Sequence, residues 1–339
     1  MYPIADVASH EQQTYMERNA SLDGLKYLLI VLVVLGHFIE PSRYTYDGVC
    51  RLYSVIYSFH MPLFVLLSGY FYKQRTLREE WQKCLPLIEV FVLSHIGFIL
   101  LRDRTITPVN LLTFGAAPSW YIISLVAWRL MSSAALRMMR SDRLFVLSIL
   151  LAVVTFVAIP KHGDVLSVMR ICQFYPYFLF GYLLRQNNWQ DTLARYKTVV
   201  CSIGLISLAG VLYTSCRLQH VVLFQRDGLL KLAEISGYDV WVILGYRYML
   251  VAWGLLISVS LFLLLRNAAW VQRFALYGRG TLFIYFGQTL LYPLVNRYCC
   301  GLTCSLVAVV CAVGVLTYLS TRPVANILMH PVSTILHKS

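Results

Sequence analysis

The chain has 339 residues, 58% hydrophobic and 13% charged, with a mean hydropathy of +0.64 and a formal net charge of +13. Soluble domains carry roughly 45 to 50% apolar and about 25% charged residues, so this chain has too little polar surface for a water-soluble globule and reads as a polytopic membrane protein. Its cations lie in short clusters between apolar runs, where they set topology and meet anionic lipid heads, which excludes a nucleic-acid partner.

Residues 1–20 are polar and partly acidic, and are expected to form a cytoplasmic tail. The first apolar run begins near residue 25 without a short basic leader, so no cleavable signal peptide is expected. Ser21 is placed to cap the following helix, with the Asp23 carboxylate in its first turn, where it suits the helix dipole. Apolar runs then recur at about 22–39, 52–72, 85–101, 118–136, 144–159, 168–185, 197–216, 243–265, 280–298 and 303–320. Most approach the ~20 residues that cross a bilayer. The pattern predicts an all-α bundle of about ten transmembrane helices, a single domain over 21–322, and a second cytoplasmic tail over 323–339. With the N-terminus inside, the inner segments carry 16 Lys and Arg residues against nine outside, which predicts both termini in the cytoplasm.

Lys26 and His37 stand eleven residues apart within the first run. In an α-helix that is about 1100° of rotation, within ~20° of three whole turns, so both side chains share a face, roughly 16 Å apart along the axis. An ionisable group inside a membrane span costs roughly 2.5 to 3.5 kcal/mol, which makes both functional candidates. Two plainer readings stand beside this one: a lysine snorkelling to the headgroups and a histidine satisfied in the core.

The second run contains SFHMPLFVLLSGYFY over residues 58–72. Pro62 frees a backbone carbonyl and opens space beside a neighbouring helix near His60, while Ser68 and Gly69 permit close packing. The basic loop that follows places Arg75, Arg78 and Lys83 at the cytoplasmic mouth, where they set topology or attract an anionic ligand. Trp120 belongs to an aromatic pair at the outer boundary. Arg170 lies at or just inside the membrane and needs a carboxylate, phosphate or carbonyl partner, and the Gln288 amide, in mid-helix, must hydrogen-bond to a neighbour or ligand. The long connection 217–242, with His220, Arg226, Asp227, Lys231, Glu234 and Asp239, reads either as part of an acceptor site or as a short amphipathic surface helix.

The nine cysteines include no CxxC pair and have no histidines at zinc spacing, so no metal is expected. Cys50, Cys216, Cys299 and Cys300 fall near run ends on one side, where a disulfide is geometrically open. No serine-hydrolase order, P-loop or dinucleotide fingerprint is visible. What remains is a histidine base with a cation on its own face. That combination suits deprotonation of a hydroxyl for attack on an activated acyl donor, and it suits a proton-coupled transporter or flippase of glycan precursors nearly as well.

The blocks RNASLDGLKYLLIVLVVLGH, SFHMPLFVLLSGYFYKQR, SWYIISL, FYPYFLFGYLLR and GRGTLFIYFGQTLLYP resemble, in order, those of the type 3 membrane acyltransferases, particularly the fucose 4-O-acetylase-like branch. The resemblance implies a ten-span bacterial inner-membrane O-acetyltransferase that moves an acetyl group from cytoplasmic acetyl-CoA, a co-substrate rather than a bound cofactor, to a sugar hydroxyl of a surface glycan or lipid-linked precursor. Its signature, a basic residue, ten residues and a histidine, falls on Lys26 and His37. It implies His37 as catalytic histidine and Lys26 as donor contact, and places His60 on the histidine of the family's second block and Arg170 on the basic residue ahead of a later one. The basic loop adds Arg75, Arg78 and Lys83 to Lys26 and Arg170 as expected donor-binding residues, and His60 is expected beside His37 in catalysis. Asp23, Ser68, Trp120 and Gln288 then become structural or substrate-orienting. Arginine is commoner than lysine at the position of Lys26, and the family's ninth-span histidine is replaced by Gln288, an amide that orients but does not titrate.

Overall fold

The computed structural model describes residues 4–103, 105–114, 117–159, 165–215 and 227–329. Within these residues the protein is all-helical, and the sole β feature is one isolated bridge between Thr113 and Val165. The ten apolar runs coincide with ten helices of 18 or more residues among the described residues: α1 (Ile4–Ile39), α2 (Asp47–Phe71), α3 (Leu77–Arg102), α4 (Trp120–Met138), α5 (Ser141–Ala158), α6 (Val168–Gln186), α7 (Lys197–Thr214), α8 (Val240–Leu265), α9 (Thr281–Tyr298) and α10 (Leu302–Ser320).

Seven of them, α1, α2, α3, α5, α7, α8 and α10, are long and apolar enough to cross a membrane, which makes this a multi-pass membrane protein. The other three, α4, α6 and α9, bury the aromatic and polar side chains around which the bundle packs, among them Trp120, Trp128, Arg170, Gln173, Tyr175, Tyr285 and Gln288. By contrast, only 22%, 17% and 28% of the apolar stretches of α5, α7 and α10 are buried. Hydropathy is thus lowest in the three helices that carry these buried polar groups, because lipid tolerates no unpaired polar group and the bundle interior can pair one.

The N-terminal end differs from expectation. Backbone helix continues upstream through residue 21, so Ser21 occupies a helix interior and caps nothing. An uninterrupted helix already pairs the amides that a cap would satisfy. Asp23 accordingly lies far from a first turn. It takes Lys26 as partner instead.

α1 runs through the centre, touching α2, α9 and α10. α2 packs most closely on α6, and glycine makes that approach feasible. A Cβ on Gly69 would come 1.8 Å from the carbonyl oxygen of Phe178, and one on Gly181 would come 1.9 Å from that of Leu66. Neither obstacle is a flexible side-chain tip, so Gly181→Ala should lower stability by about 1–3 kcal/mol, read as a lower unfolding temperature in detergent. An unchanged midpoint would contradict this packing.

Pro62 lies inside α2 without ending it. Its missing N–H leaves the Ser58 carbonyl without a helical donor, and α8 approaches there through Gly254, whose Cβ would stand 2.5 Å from that oxygen. One residue on, Ser258 of α8 donates to the Phe59 carbonyl at 3.5 Å. Thr76 and Glu79 form a capping box that starts α3 cleanly after the basic loop. In the long connection, Leu229–Ser236 is a short helix against α8 and α5, as the surface-helix reading expects, and Lys231 pairs with the buried Asp227 at 2.5 Å. His220, Arg226 and Cys216 lie outside the described residues. The described cysteines are all free thiols.

Candidate active site

A cavity of about 530 Å³ opens among the ends of α1, α2, α3, α4, α6 and α9. α1 contributes Val33 and His37, the turn after it Glu40, and α2 contributes Tyr57, His60 and Met61. Trp120, Arg170 and Phe174 close one side, and Tyr285, Tyr292 and Asn296 another, with Arg102 and Arg297 at the rim.

Two imidazoles share this space. His60 is buried, and its Nδ1 lies 2.6 Å from the Ile56 carbonyl. A carbonyl can only accept, so Nδ1 carries the proton and Nε2 keeps a lone pair. His37 is partly open, with 17% side-chain exposure. Its Nδ1 lies 3.4 Å from the Tyr57 hydroxyl and 3.9 Å from Glu40 Oε2. Glu40 is held in turn: Tyr292 donates to Oε2 at 3.1 Å, and Arg43 Nη1 stands 3.5 Å from Oε1. A carboxylate near Nδ1 favours the tautomer with the proton on that nitrogen and the lone pair on Nε2. Aromatic edges from Tyr57 and Tyr292, at 6.3 and 5.3 Å between ring centroids, fix the plane of the ring.

Arg170 is buried, with its guanidinium 4.7 Å from the Trp120 ring centre, a cation–π contact that holds a charge without adding a carboxylate. The Tyr285 hydroxyl donates to the Pro118 carbonyl and so ties α9 to the loop before α4. Ser68 lies deeper, bonded to Tyr121 Oη at 2.6 Å and to the Phe64 carbonyl at 2.9 Å. Gln288 is fully buried one turn from the cavity wall. Its Nε2 donates to Thr289 at 3.3 Å, and its Oε1 has no partner among the described residues.

The structure thus gathers His37, His60, Trp120 and Arg170 around one cavity and leaves the other sequence candidates outside it. Lys26 does face α2, as its helical phase requires, but at the opposite end of that helix. Its ammonium pairs with Asp23 at 2.9 Å and stands 3.9 Å over the Phe71 ring. Between Lys26 and the cavity lies a packed apolar layer that includes Ile30, Val34, Val65 and Phe178. Arg75, Arg78 and Lys83 belong to the Lys26 half of the bundle, where Arg75 and Lys83 border a shallow surface depression. Arg75 is already engaged: its Nη1 reaches Glu80 Oε2 at 3.4 Å, and Arg129 Nε meets Glu80 Oε1 at 2.5 Å. Because Glu80 is fully buried between these two arginines, Glu80→Ala should cost about 1.5–3 kcal/mol, read as a fall in the thermal midpoint of the purified protein. No fall would mean that the clamp does not fasten α3 to α4.

The profile of a family described as an acyltransferase domain matches residues 19–322. The chain belongs to this acyltransferase family. It is 27% identical over 216 residues to nodulation protein NolL of Mesorhizobium japonicum, a match covering 57% of this chain and 55% of that protein. It is 24% identical over 204 residues to nodulation protein NolL of Sinorhizobium fredii, covering 54% of each. The chain thus spans about half the length of the curated relatives it matches. No solved structure matches it.

Sequence reasoning missed Glu40, Tyr57, Tyr285 and Tyr292. The signal for Glu40 was present: it follows His37 by three residues, a spacing that puts the two on neighbouring positions of a helical surface. The tyrosines carried no such signal in a chain with 23 of them.

Proposed function

We propose that this protein is an integral-membrane O-acetyltransferase of the bacterial cytoplasmic membrane, both termini inside, which moves an acetyl group from acetyl-CoA to a sugar hydroxyl of a surface glycan or lipid-linked precursor. The observation that carries the reading is the His37–Glu40 pair facing a cavity that also holds His60 and Arg170. Family membership supports acyl transfer, the fucose 4-O-acetylase-like blocks support a sugar acceptor, and the distribution of Lys and Arg supports the orientation.

In the direct route, His37 Nε2 takes the proton of the acceptor hydroxyl as its oxygen bonds to the thioester carbonyl carbon. The carbon–sulfur bond then breaks, and the imidazolium returns its proton to the departing thiolate. Arg170, on the cavity wall, stabilises the negative charge that develops on the carbonyl oxygen in this reading, and His60, whose free Nε2 can only accept a hydrogen bond, positions the substrate. In a relay route His37 carries the acyl group itself. Lys26, with Arg75, Arg78 and Lys83, holds the phosphates of the donor at the cytoplasmic end. Its thioester then reaches His37 only if the layer at Ile30, Val34, Val65 and Phe178 yields. Mass spectrometry of glycans and lipid-linked sugars from cells with and without the gene tests the proposal. An acetyl-sized difference on one glycan is expected, and identical profiles would overturn it.

A further inference from the structure

We infer that the acceptor entering this cavity is anionic: a sugar bearing a carboxylate or phosphate, whose charge rests between Arg102 and Arg297 at the mouth. The inference rests on the acetyltransferase reading and names the substrate class of the same site.

Among the described residues that line the cavity, three carry guanidinium groups, Arg102, Arg170 and Arg297, and one carries a carboxylate, Glu40. Glu40 is neutralised from outside the cavity by Arg43 and committed to His37 and Tyr292, so it does not offset the arginines. Arg297 donates from Nη2 to the main-chain carbonyl of Arg102 at 3.0 Å, which brings the ends of α9 and α3 together where both residues line the opening. Both residues are exposed at the rim, so solvent screens their mutual repulsion and leaves both guanidinium groups available to an arriving anion. The partner of Arg297 among the described residues is the Arg102 carbonyl, which carries no charge. Arg102 has Asp103 at 3.4 Å, but with 51% and 34% side-chain exposure that pair is solvated and readily exchanged. A neutral sugar would leave these groups unused, whereas a carboxylate or phosphate accepts the fork of hydrogen bonds that a guanidinium presents. Arginines at a membrane boundary also meet lipid headgroups, so the phosphate of a lipid carrier and that of a free sugar share this chemistry.

The test is binding of matched probes to the purified full chain in detergent, read by thermophoresis without acetyl-CoA: glucose, glucuronate, glucose 1-phosphate and farnesyl phosphate. Glucuronate and glucose 1-phosphate are expected to bind at least tenfold tighter than glucose. The exposed double variant R102Q/R297Q should lose that preference while keeping its unfolding temperature. Competition of farnesyl phosphate with glucose 1-phosphate would assign the charge to a lipid-linked acceptor, and its absence to a free or polymeric one; each supports an anionic sugar. Equal affinities for charged and neutral sugars, no sugar binding at all, or a preference unchanged in R102Q/R297Q would overturn the inference. His37→Ala should retain the preference, because binding and transfer are read separately: loss of anion preference leaves the acetyltransferase reading standing, and loss of acetylation leaves the anion site standing.

Discussion

Replacing His37 by alanine is expected to bring glycan acetylation down by about 10²- to 10⁴-fold, the usual contribution of a positioned general base, while the protein still inserts and folds. The separation of the two effects follows from where the side chain lies. His37 is partly open to the cavity, and its contacts are the edges of Tyr57 and Tyr292 and the polar atoms Tyr57 Oη and Glu40 Oε2. α1 keeps its apolar contacts through Leu29, Ile30, Val34 and Phe38, all nearly fully buried. If the relay route holds, the loss is larger, because no residue remains to carry the acyl group. His60→Gln is the useful comparison. Its Nδ1 proton is committed to the Ile56 carbonyl, so an amide at that place can still donate there, and the effect should be smaller than at His37. Near-normal acetylation in His37→Ala, with wild-type amounts of protein in the membrane, would remove His37 from the reaction.

The long helices were legible because the bilayer imposes both a length and a composition on them. Their boundaries were less so at α1, where Ser21 was read as a helix cap, yet the backbone stays helical well before it. Polarity marks what a helix faces; it does not mark where backbone hydrogen bonding stops. The helical phase of Lys26 and His37 was also legible, and both residues do face α2. What phase cannot supply is the depth of packing between them. Ile30, Val34, Val65 and Phe178 come from three helices, and their meeting in one layer depends on contacts that no local pattern encodes.

Arg170 was legible as a buried charge in need of company. Its company turned out to include the face of Trp120, a partner that a search for carboxylates passes over. Gln288 was legible as an amide in need of hydrogen bonds, and the structure supplies one of its two ends. The cavity itself was not legible. Its wall draws one to five residues from each of six helices and adds two connections, so the local spacing in any one of them is silent about the others.

Glu40→Gln should lower kcat by about 10²- to 10⁴-fold while leaving KM for donor and acceptor within a few-fold, because the change acts on His37 rather than on substrate. The substitution keeps the shape of the side chain and its place between Tyr292 and Arg43. It alters what is offered to His37 Nδ1, 3.9 Å away. A carboxylate can only accept, so it selects the tautomer with the proton on Nδ1 and the lone pair on Nε2, and it offsets the positive charge gained when the ring takes the acceptor's proton. An amide can donate to Nδ1 instead, which moves the proton to Nε2, where it blocks the base, and it offers no charge to the imidazolium. Glu40→Asp restores the charge on a shorter arm and should recover part of kcat, whereas a merely structural Glu40 would be served as well by glutamine as by aspartate. Three readouts decide the matter together: the kcat against KM split, partial rescue by aspartate, and an unfolding temperature of Glu40→Gln close to wild type. Equal activity in the Gln and Asp variants would show that His37 takes its orientation from Tyr57 and Tyr292 alone.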